Sequence, residues 1–236
     1  MNLLVIPAHN EASTVAQVVR ATREAMPGAE IAVIDDGSSD ATAHCAAAAG
    51  ATVLQGGPLH GYGAALMRGF RHAVECGAST VATLDADGQH DPRSLPALHH
   101  LLRHCDIASG SRYHPSCAEG VGAAPLDRMD INRELTAHIN AITGWTLTDA
   151  FCGFKAYRVE ALRRLVLDEP GYGFPLQLWV EAWRAGLTVA ELPVRKIYLP
   201  VDRLFGDGLD DAAVRRAYYG AVLERTLARS APATGA

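Results

Sequence analysis

Lysine is almost missing from this 236-residue chain: Lys155 and Lys196 are the only two, within a Lys+Arg total of 21. Arginine carries nearly all the positive charge, a bias that a GC-rich coding sequence explains as readily as selection for guanidinium chemistry. Acidic residues are in excess, with a net charge of -5 and a pI near 6.0. A global basic field is therefore absent, which argues against nucleic acid as a partner. The cysteines (Cys45, Cys76, Cys105, Cys117, Cys152) are scattered, odd in number and never spaced as CxxC. That argues against a structural zinc site and a disulfide framework, and makes a reducing, cytoplasmic setting the expectation. No apolar run approaches the ~20 residues of a membrane helix. The Met1-to-Pro7 start is too short for a signal peptide and lacks its basic opening. The expectation is a soluble chain, or one peripheral to the inner membrane face. Internal repeats and low-complexity linkers are also missing, so a single domain with a real core is expected.

Strand and helix alternate through the first half. Leu3 to Pro7, Ile31 to Ile34, Ala51 to Leu54, Ser79 to Leu84 and Asp106 to Ser109 read as short apolar strands. Between them, Val15, Val18, Val19 and Thr22 mark one helix face, with Asn10 placed to cap it. Asp40 opens an alanine-rich helix ending at Gly50. Gly61-Tyr62-Gly63 opens a third, with Leu66, Phe70, Ala73 and Val74 on one side. Asp91-Pro92 reads as an N-cap followed by a first-turn proline. This pattern predicts a mostly parallel sheet covered on both faces. Residues 113–126 read as a mobile loop, followed by helices near 128–143 and 176–185 and a strand near 187–194. A last helix, near 210–228, carries a Val214, Tyr218, Ala221, Val222 stripe. Core packing is the simplest use of that stripe; a homodimer contact and a membrane-surface contact are the other two readings.

Ligands of parallel sheets gather at the carboxyl ends of the strands. Four of those ends carry polar clusters: Asn10/Glu11, Asp35/Asp36, Asp85/Asp87 and Ser111/Arg112. Polar loops explain any one of them, but four in succession suggest a single crevice. Alternation points Asp85 and Asp87 to the same side. With the amide oxygen of Gln89 they make a hard, all-oxygen set suited to Mg²⁺ or Mn²⁺, the bland alternative being a solvated acidic turn. A dinucleotide-binding domain would need G-x-G-x-x-G directly after the first strand, where Pro7-Ala8-His9-Asn10-Glu11 stands instead. A nucleotidyltransferase would need a basic, glycine-rich loop at the same place.

Ile6-Pro7-Ala8-His9-Asn10-Glu11, then Val33-Ile34-Asp35-Asp36-Gly37-Ser38-Ser39-Asp40, then Leu84-Asp85-Ala86-Asp87-Gly88-Gln89-His90 resemble the family 2 glycosyltransferases of GT-A fold. Gly61-Tyr62-Gly63-Ala64-Ala65, Ser109-Gly110-Ser111-Arg112 and Asp149…Gly153-Phe154-Lys155 narrow the likeness to the dolichyl-phosphate mannose synthase branch. The resemblance spans about residues 3 to 210. It implies a single GT-A domain, with a nucleotide-sugar half (1–112), an acceptor half and lid (113–206), and a C-terminal helix and tail (207–236). It implies metal-dependent, inverting transfer of one sugar from GDP-mannose or a UDP-sugar to a polyprenyl phosphate. Transfer to a soluble hydroxyl acceptor is the alternative, and a non-catalytic nucleotide-sugar binder is the rival of another class.

The resemblance assigns Pro7, Asn10, Glu11, Asp36, Gly61, Asp85 and Arg203 to the donor, and Asp85, Asp87 and Gln89 to the metal. Ser111, Arg112 and Lys155 fall to the acceptor, with Asp87, Arg112 and Asp149 at the chemistry. Asp149 is read as a general base for a hydroxyl acceptor, or equally as a structural turn residue; Lys155 is read as pairing with a phosphate or with a neighbouring carboxylate. Three departures bear on the acceptor. Gln177 stands where the family has an acid, leaving Glu181 one helical turn on as a substitute. Tyr62 replaces a basic residue between the two glycines. Gly208-Leu209 stands where a Ser-Lys pair closes the family's phosphate loop, for which Arg195 or Lys196 could compensate.

Overall fold

The computed structural model describes residues 1–57, 59–117, 125–197 and 208–229. The five strands of the first half are β1 (Asn2–Ala8), β2 (Glu30–Asp35), β3 (Thr52–Gln55), β4 (Thr80–Thr83) and β5 (Ile107–Ser111). The second half adds β6 (Lys155–Arg158) and β7 (Val189–Pro193). Together they form one sheet in the order β3-β2-β1-β4-β6-β5-β7. β1 pairs in parallel with β2 and β4, β2 with β3, and β5 with β7.

Both faces are covered, which is why the strands read as continuous apolar runs instead of alternating ones. Leu3 and Val5 of β1 join one core, with Ile34, Phe70, Ile107, Tyr157 and Trp179. Leu4 and Ile6 point the other way, joining Val19, Val33, Leu98 and Phe154. On the first face lie α3 (Tyr62–Glu75), α5 (Leu126–Thr143), α6 (Val159–Leu162), α7 (Phe174–Arg184) and α8 (Ala212–Ala228). On the second lie α1 (Val15–Ala25), α2 (Thr42–Ala48) and α4 (Leu95–Leu101). The spacing argument for α1 and α3 holds: Val15, Val18, Val19 and Thr22 are buried on the one, and Leu66, Phe70 and Ala73 on the other. Truncating a core aromatic such as Phe70 to alanine would cost about 3–5 kcal/mol.

Three local expectations are corrected. β6 is a strand that periodicity does not announce, because it is four residues long and begins with a lysine. It inserts antiparallel between β4 and β5, pairing Val81 with Tyr157 and Ala82 with Ala156 on one side, and Ile107 with Tyr157 on the other. β4 and β5 are therefore not neighbours, and the turn leading into β6 stands between their ends. Asn10 does not cap α1, whose N-cap position is Thr14. Finally, the buried face of α8 is Arg215, Tyr219, Val222, Leu223 and Thr226, while Val214 is 48% exposed and Ala221 is exposed. A buried arginine rotates that helix: Arg215 donates to the Leu209 carbonyl at 2.6 Å and pairs with Asp127 at the start of α5. Among the described residues no helix is long and apolar enough to cross a membrane.

Candidate active site

The loops after β1 and β2 are joined to each other. The Ser39 amide donates to the Asn10 side-chain oxygen at 2.9 Å, and the Asn10 amide to the Ser38 hydroxyl at 2.9 Å. The Ala12 amide donates to Asp40 and the Glu11 amide to Thr42. Asn10 sits at φ 55, a left-handed conformation that asparagine tolerates better than most residues. Pro7 is buried within β1 opposite Ile34. The Glu11 carboxylate accepts the Thr14 hydroxyl at 2.7 Å, so it helps start α1. Asp36, also buried, accepts the amides of His60 (3.1 Å) and Gly61 (2.7 Å) and so ties the end of β2 to the start of α3.

Asp85 and Asp87 follow β4, and both stay partly exposed while Ala86 between them is buried. Asp85 keeps 32% of its side chain open and accepts the Tyr62 hydroxyl at 3.3 Å. Asp87 accepts the Gln89 amide at 2.9 Å, which tightens the turn. A Cβ at Gly153 would stand 2.8 and 2.9 Å from the Asp85 carboxylate oxygens, so the glycine keeps that carboxylate clear. Among the described residues no three of His, Cys, Asp and Glu gather as a metal nest. The set fits a hard cation held by two carboxylates, an amide oxygen and the donor's own phosphates, the usual manner of Mg²⁺.

Behind this pair sits His90, which the sequence reading passed over as part of a motif. Its Nδ1 accepts the Asp85 amide at 3.2 Å and its ring stacks on Phe154 at 5.2 Å. Burial pushes its pKa down to about 4, with the Asp87 charge opposing and Arg112 assisting. The imidazole is thus neutral at pH 7. The charges around it oppose one another, Asp87 and Asp149 raising its pKa while Arg112 and Lys155 lower it.

At the end of β5 the charged groups are buried and partnered. Asp149, 0% exposed, accepts Arg112 through Nε (2.7 Å), Nη2 (3.0 Å) and the backbone amide (3.1 Å). It also accepts Asn132 at 2.8 Å and the Phe151 amide at 3.2 Å. Burial alone would raise its pKa; the Arg112 charge and these hydrogen bonds outweigh it and hold the carboxyl at about 2. Such a carboxylate is a poor proton acceptor, so the turn-residue reading of Asp149 is the one that matches its surroundings. The Ser111 hydroxyl is fully buried and meets Thr148 at 2.5 Å instead of opening to a ligand. Lys155 is 2% exposed; its ammonium binds the Cys152 carbonyl and lies 5.1 Å from the Trp179 ring, and among the described residues it makes no ion pair with a carboxylate. Gln177 is spent on the amides of Asp168 and Glu169, both at 2.8 Å. Glu181 pairs with Arg184, which caps the carbonyls ending α8, so it does not replace the missing acid. Arg203 and the loop through Asp207 lie outside the described residues, as do residues 118–124 of the expected mobile loop.

The supports of this end were not read from the sequence. Glu191 of β7 accepts the amides of Thr148 and Asp149, and Asn132, Thr136 and Asn140 of α5 bind residues 147–150. Their spacing, four residues apart among Ile131, Leu135 and Ile139, was the available signal.

The structure thus sets partly exposed carboxylates after β4 and an arginine after β5, two places along a mostly parallel sheet. The family model described as glycosyl transferase family 2 matches residues 3–166, and the chain belongs to that family. The undecaprenyl-phosphate mannosyltransferase of Micrococcus luteus is 32% identical over 200 residues, 81% of this chain and 82% of its own. The polyprenol monophosphomannose synthase of Mycolicibacterium smegmatis is 30% identical over 230 residues, 92% of this chain and 86% of its own. These likenesses fall in the branch its motifs indicated. The crystal structure of Mycobacterium tuberculosis glucosyl-3-phosphoglycerate synthase shares the fold, with a TM-score of 0.74 at 24% identity over 100% of this chain and 83% of that one. Its complex with Mn²⁺, UDP and glucosyl-3-phosphoglycerate gives 0.75 at 22% identity, over 100% and 82%.

Proposed function

We propose that this glycosyltransferase moves one sugar, with inversion, from a nucleotide-sugar donor to a phosphate acceptor, a polyprenyl phosphate in the reading its two named relatives support. The observation that carries the acceptor class is the state of Asp149. Its oxygens are taken by five N–H donors and its carboxyl is held at about 2. A hydroxyl nucleophile needs a base to take its proton, whereas a phosphate is already an anion at neutral pH. Asp149 then acts by fixing Arg112, whose planar fork suits a phosphate oxygen pair.

In this reading residues 1–112 hold the donor and residues 113–206 the acceptor, with 207–236 as the C-terminal helix and tail. Pro7, Asn10, Glu11, Asp36 and Gly61 shape the nucleoside end, with Arg203 closing over the phosphates. A divalent ion, Mg²⁺ or Mn²⁺, held by Asp85, Asp87 and Gln89 would offset the charge gained by the leaving diphosphate. The acceptor oxygen attacks the anomeric carbon opposite that diphosphate in a single displacement, so no covalent sugar–enzyme bond is formed. A polyprenyl acceptor would place the chain at a membrane surface. The burial of Ser111 and Lys155 favours a second reading, a soluble hydroxyl acceptor, because it leaves Arg112 with less help in holding a phosphate.

Two experiments test this. A thermal-shift panel of GDP, UDP and dTDP sugars with and without Mn²⁺ identifies the donor; stabilisation by one class, dependent on the metal, is expected. Arg112→Ala should raise the KM for a polyprenyl phosphate by about tenfold or more with donor binding intact. An unchanged KM would favour the hydroxyl reading.

A further inference from the structure

The turn between α6 and α7 lies against the amino end of α3, and α8 holds it there. Glu169 is 3% exposed, and its Oε1 accepts the Tyr218 hydroxyl at 2.6 Å and the Gly171 amide at 3.0 Å. Its Oε2 takes Arg225, one further residue of α8. The Tyr218 hydroxyl in turn accepts the Gly173 amide at 3.1 Å. Contact is close on this side: a Cβ at Gly171 would stand 2.4 Å from the Tyr218 oxygen.

The other side of the turn meets the donor end. The Pro170 carbonyl accepts the Ala64 amide at 3.0 Å, satisfying one of the free N–H groups that open α3. A Cβ at Gly61 would stand 2.5 Å from that carbonyl oxygen, and one at Gly63 2.1 Å from the Glu169 carbonyl oxygen. The glycines of the Gly61-Tyr62-Gly63 motif are therefore required by protein packing, apart from any ligand. From here two paths reach the strand ends. Gly61 donates to Asp36, and the Tyr172 ring stacks on Tyr62 (5.9 Å, 12° between planes), whose hydroxyl donates to Asp85.

We infer that Glu169 is a positioning residue for the donor pocket: pinned by Tyr218 and Arg225 of α8, it presses the Pro170–Tyr172 turn against α3 and so presets Asp36 and Asp85. The Tyr62 hydroxyl reaches Asp85 at 3.3 Å, so its aim depends on where the stacked Tyr172 ring holds the Tyr62 ring. The inference rests on the reading of Asp36, Gly61 and Asp85 as donor-binding.

The test measures GDP and UDP binding by calorimetry with Mn²⁺ in the full chain, donor and acceptor KM, and the melting temperature. Tyr218→Phe keeps the ring and removes the hydroxyl, and Glu169→Gln removes the charge. Leu223→Ala, a core truncation on the same helix, controls for general loosening. Both strut variants should weaken diphosphate binding by about tenfold and raise the donor KM in step, with the acceptor KM within about twofold. Leu223→Ala should lower the melting temperature with the diphosphate Kd unchanged. Strut variants that bind like wild type, or a Leu223→Ala that loses binding to the same degree, would overturn the inference. Should Glu169→Gln fail to fold, Tyr218→Phe decides. A wild-type chain that binds neither diphosphate would overturn the donor-pocket reading itself, and the inference with it.

Discussion

At the donor end, the loops after β1 and β2 are stitched by amides and short side chains, while Asp85 and Asp87 keep part of their surface open. At the acceptor end, Ser111, Asp149 and Lys155 lie inside, each partnered within the chain, and Arg112 alone of the group keeps appreciable exposure. The proposed donor end presents two partly exposed carboxylates, Asp85 and Asp87. At the proposed acceptor end Arg112 and Asp149 pair with each other, so that a single guanidinium is held in a fixed direction. Carboxylates that stay partly solvated cost little; a buried carboxylate is tolerable only when its hydrogen bonds are complete.

Substitutions should separate the two ends. The largest effect expected is from Asp87→Ala, which should abolish metal-dependent nucleotide binding and lower turnover by about 10²–10³-fold or more. Its melting temperature should stay near wild type, since the side chain is partly exposed; full activity would remove Asp87 from the site. Asp149→Ala should do the reverse: it strands Arg112 and Asn132, costing about 3–5 kcal/mol in denaturant unfolding. Asp149→Asn distinguishes the acceptors: turnover should fall severely with a hydroxyl acceptor, whereas with a phosphate acceptor the change should be mild in turnover and appear in KM, through the loosened Arg112.

Acid should find the same difference. The folded pKa of Asp149 lies below its ordinary value of 3.8, at about 2. Its contribution is therefore complete above pH ~4 and is lost as pH falls through ~2, amounting to about 2 kcal/mol. Unfolding free energy measured across that range should fall less steeply in Asp149→Asn than in wild type. The smallest effect is at the donor loops: Asn10→Ala removes two hydrogen bonds to Ser39 and should cost about 1 kcal/mol, read as a few degrees in the melting temperature.

The two ends were also unequally legible. Asp85, Asp87, Asp36 and Asn10 each follow a strand whose apolar run is visible, so their place at one sheet edge could be read directly. Asn10 binds Ser39 instead of capping α1, a pairing the sequence does not announce because a loop-to-loop bond carries no period. At the acceptor end, β6 gave no signal: Lys155 to Arg158 is a strand only because β4 and β5 offer it edges to pair with. Asp149 illustrates the limit well. As a residue in a short motif it could equally be a base or a turn former, and its surroundings depend on Arg112 and Asn132, which arrive from distant elements.

Apolar spacing, turn residues and motif order were enough, by themselves, to determine a mostly parallel sheet covered on both faces and the family to which the chain belongs. Tertiary structure alone decided that an antiparallel strand separates β4 from β5, that Ser111 and Lys155 face inward, and that α8 braces the start of α3 through Glu169. The reason is physical. Periodicity records which side of an element is buried, because burial acts on each residue in place. The protonation and direction of a charged group depend instead on what folding brings within about 4 Å of it, and those neighbours lie far away in the chain.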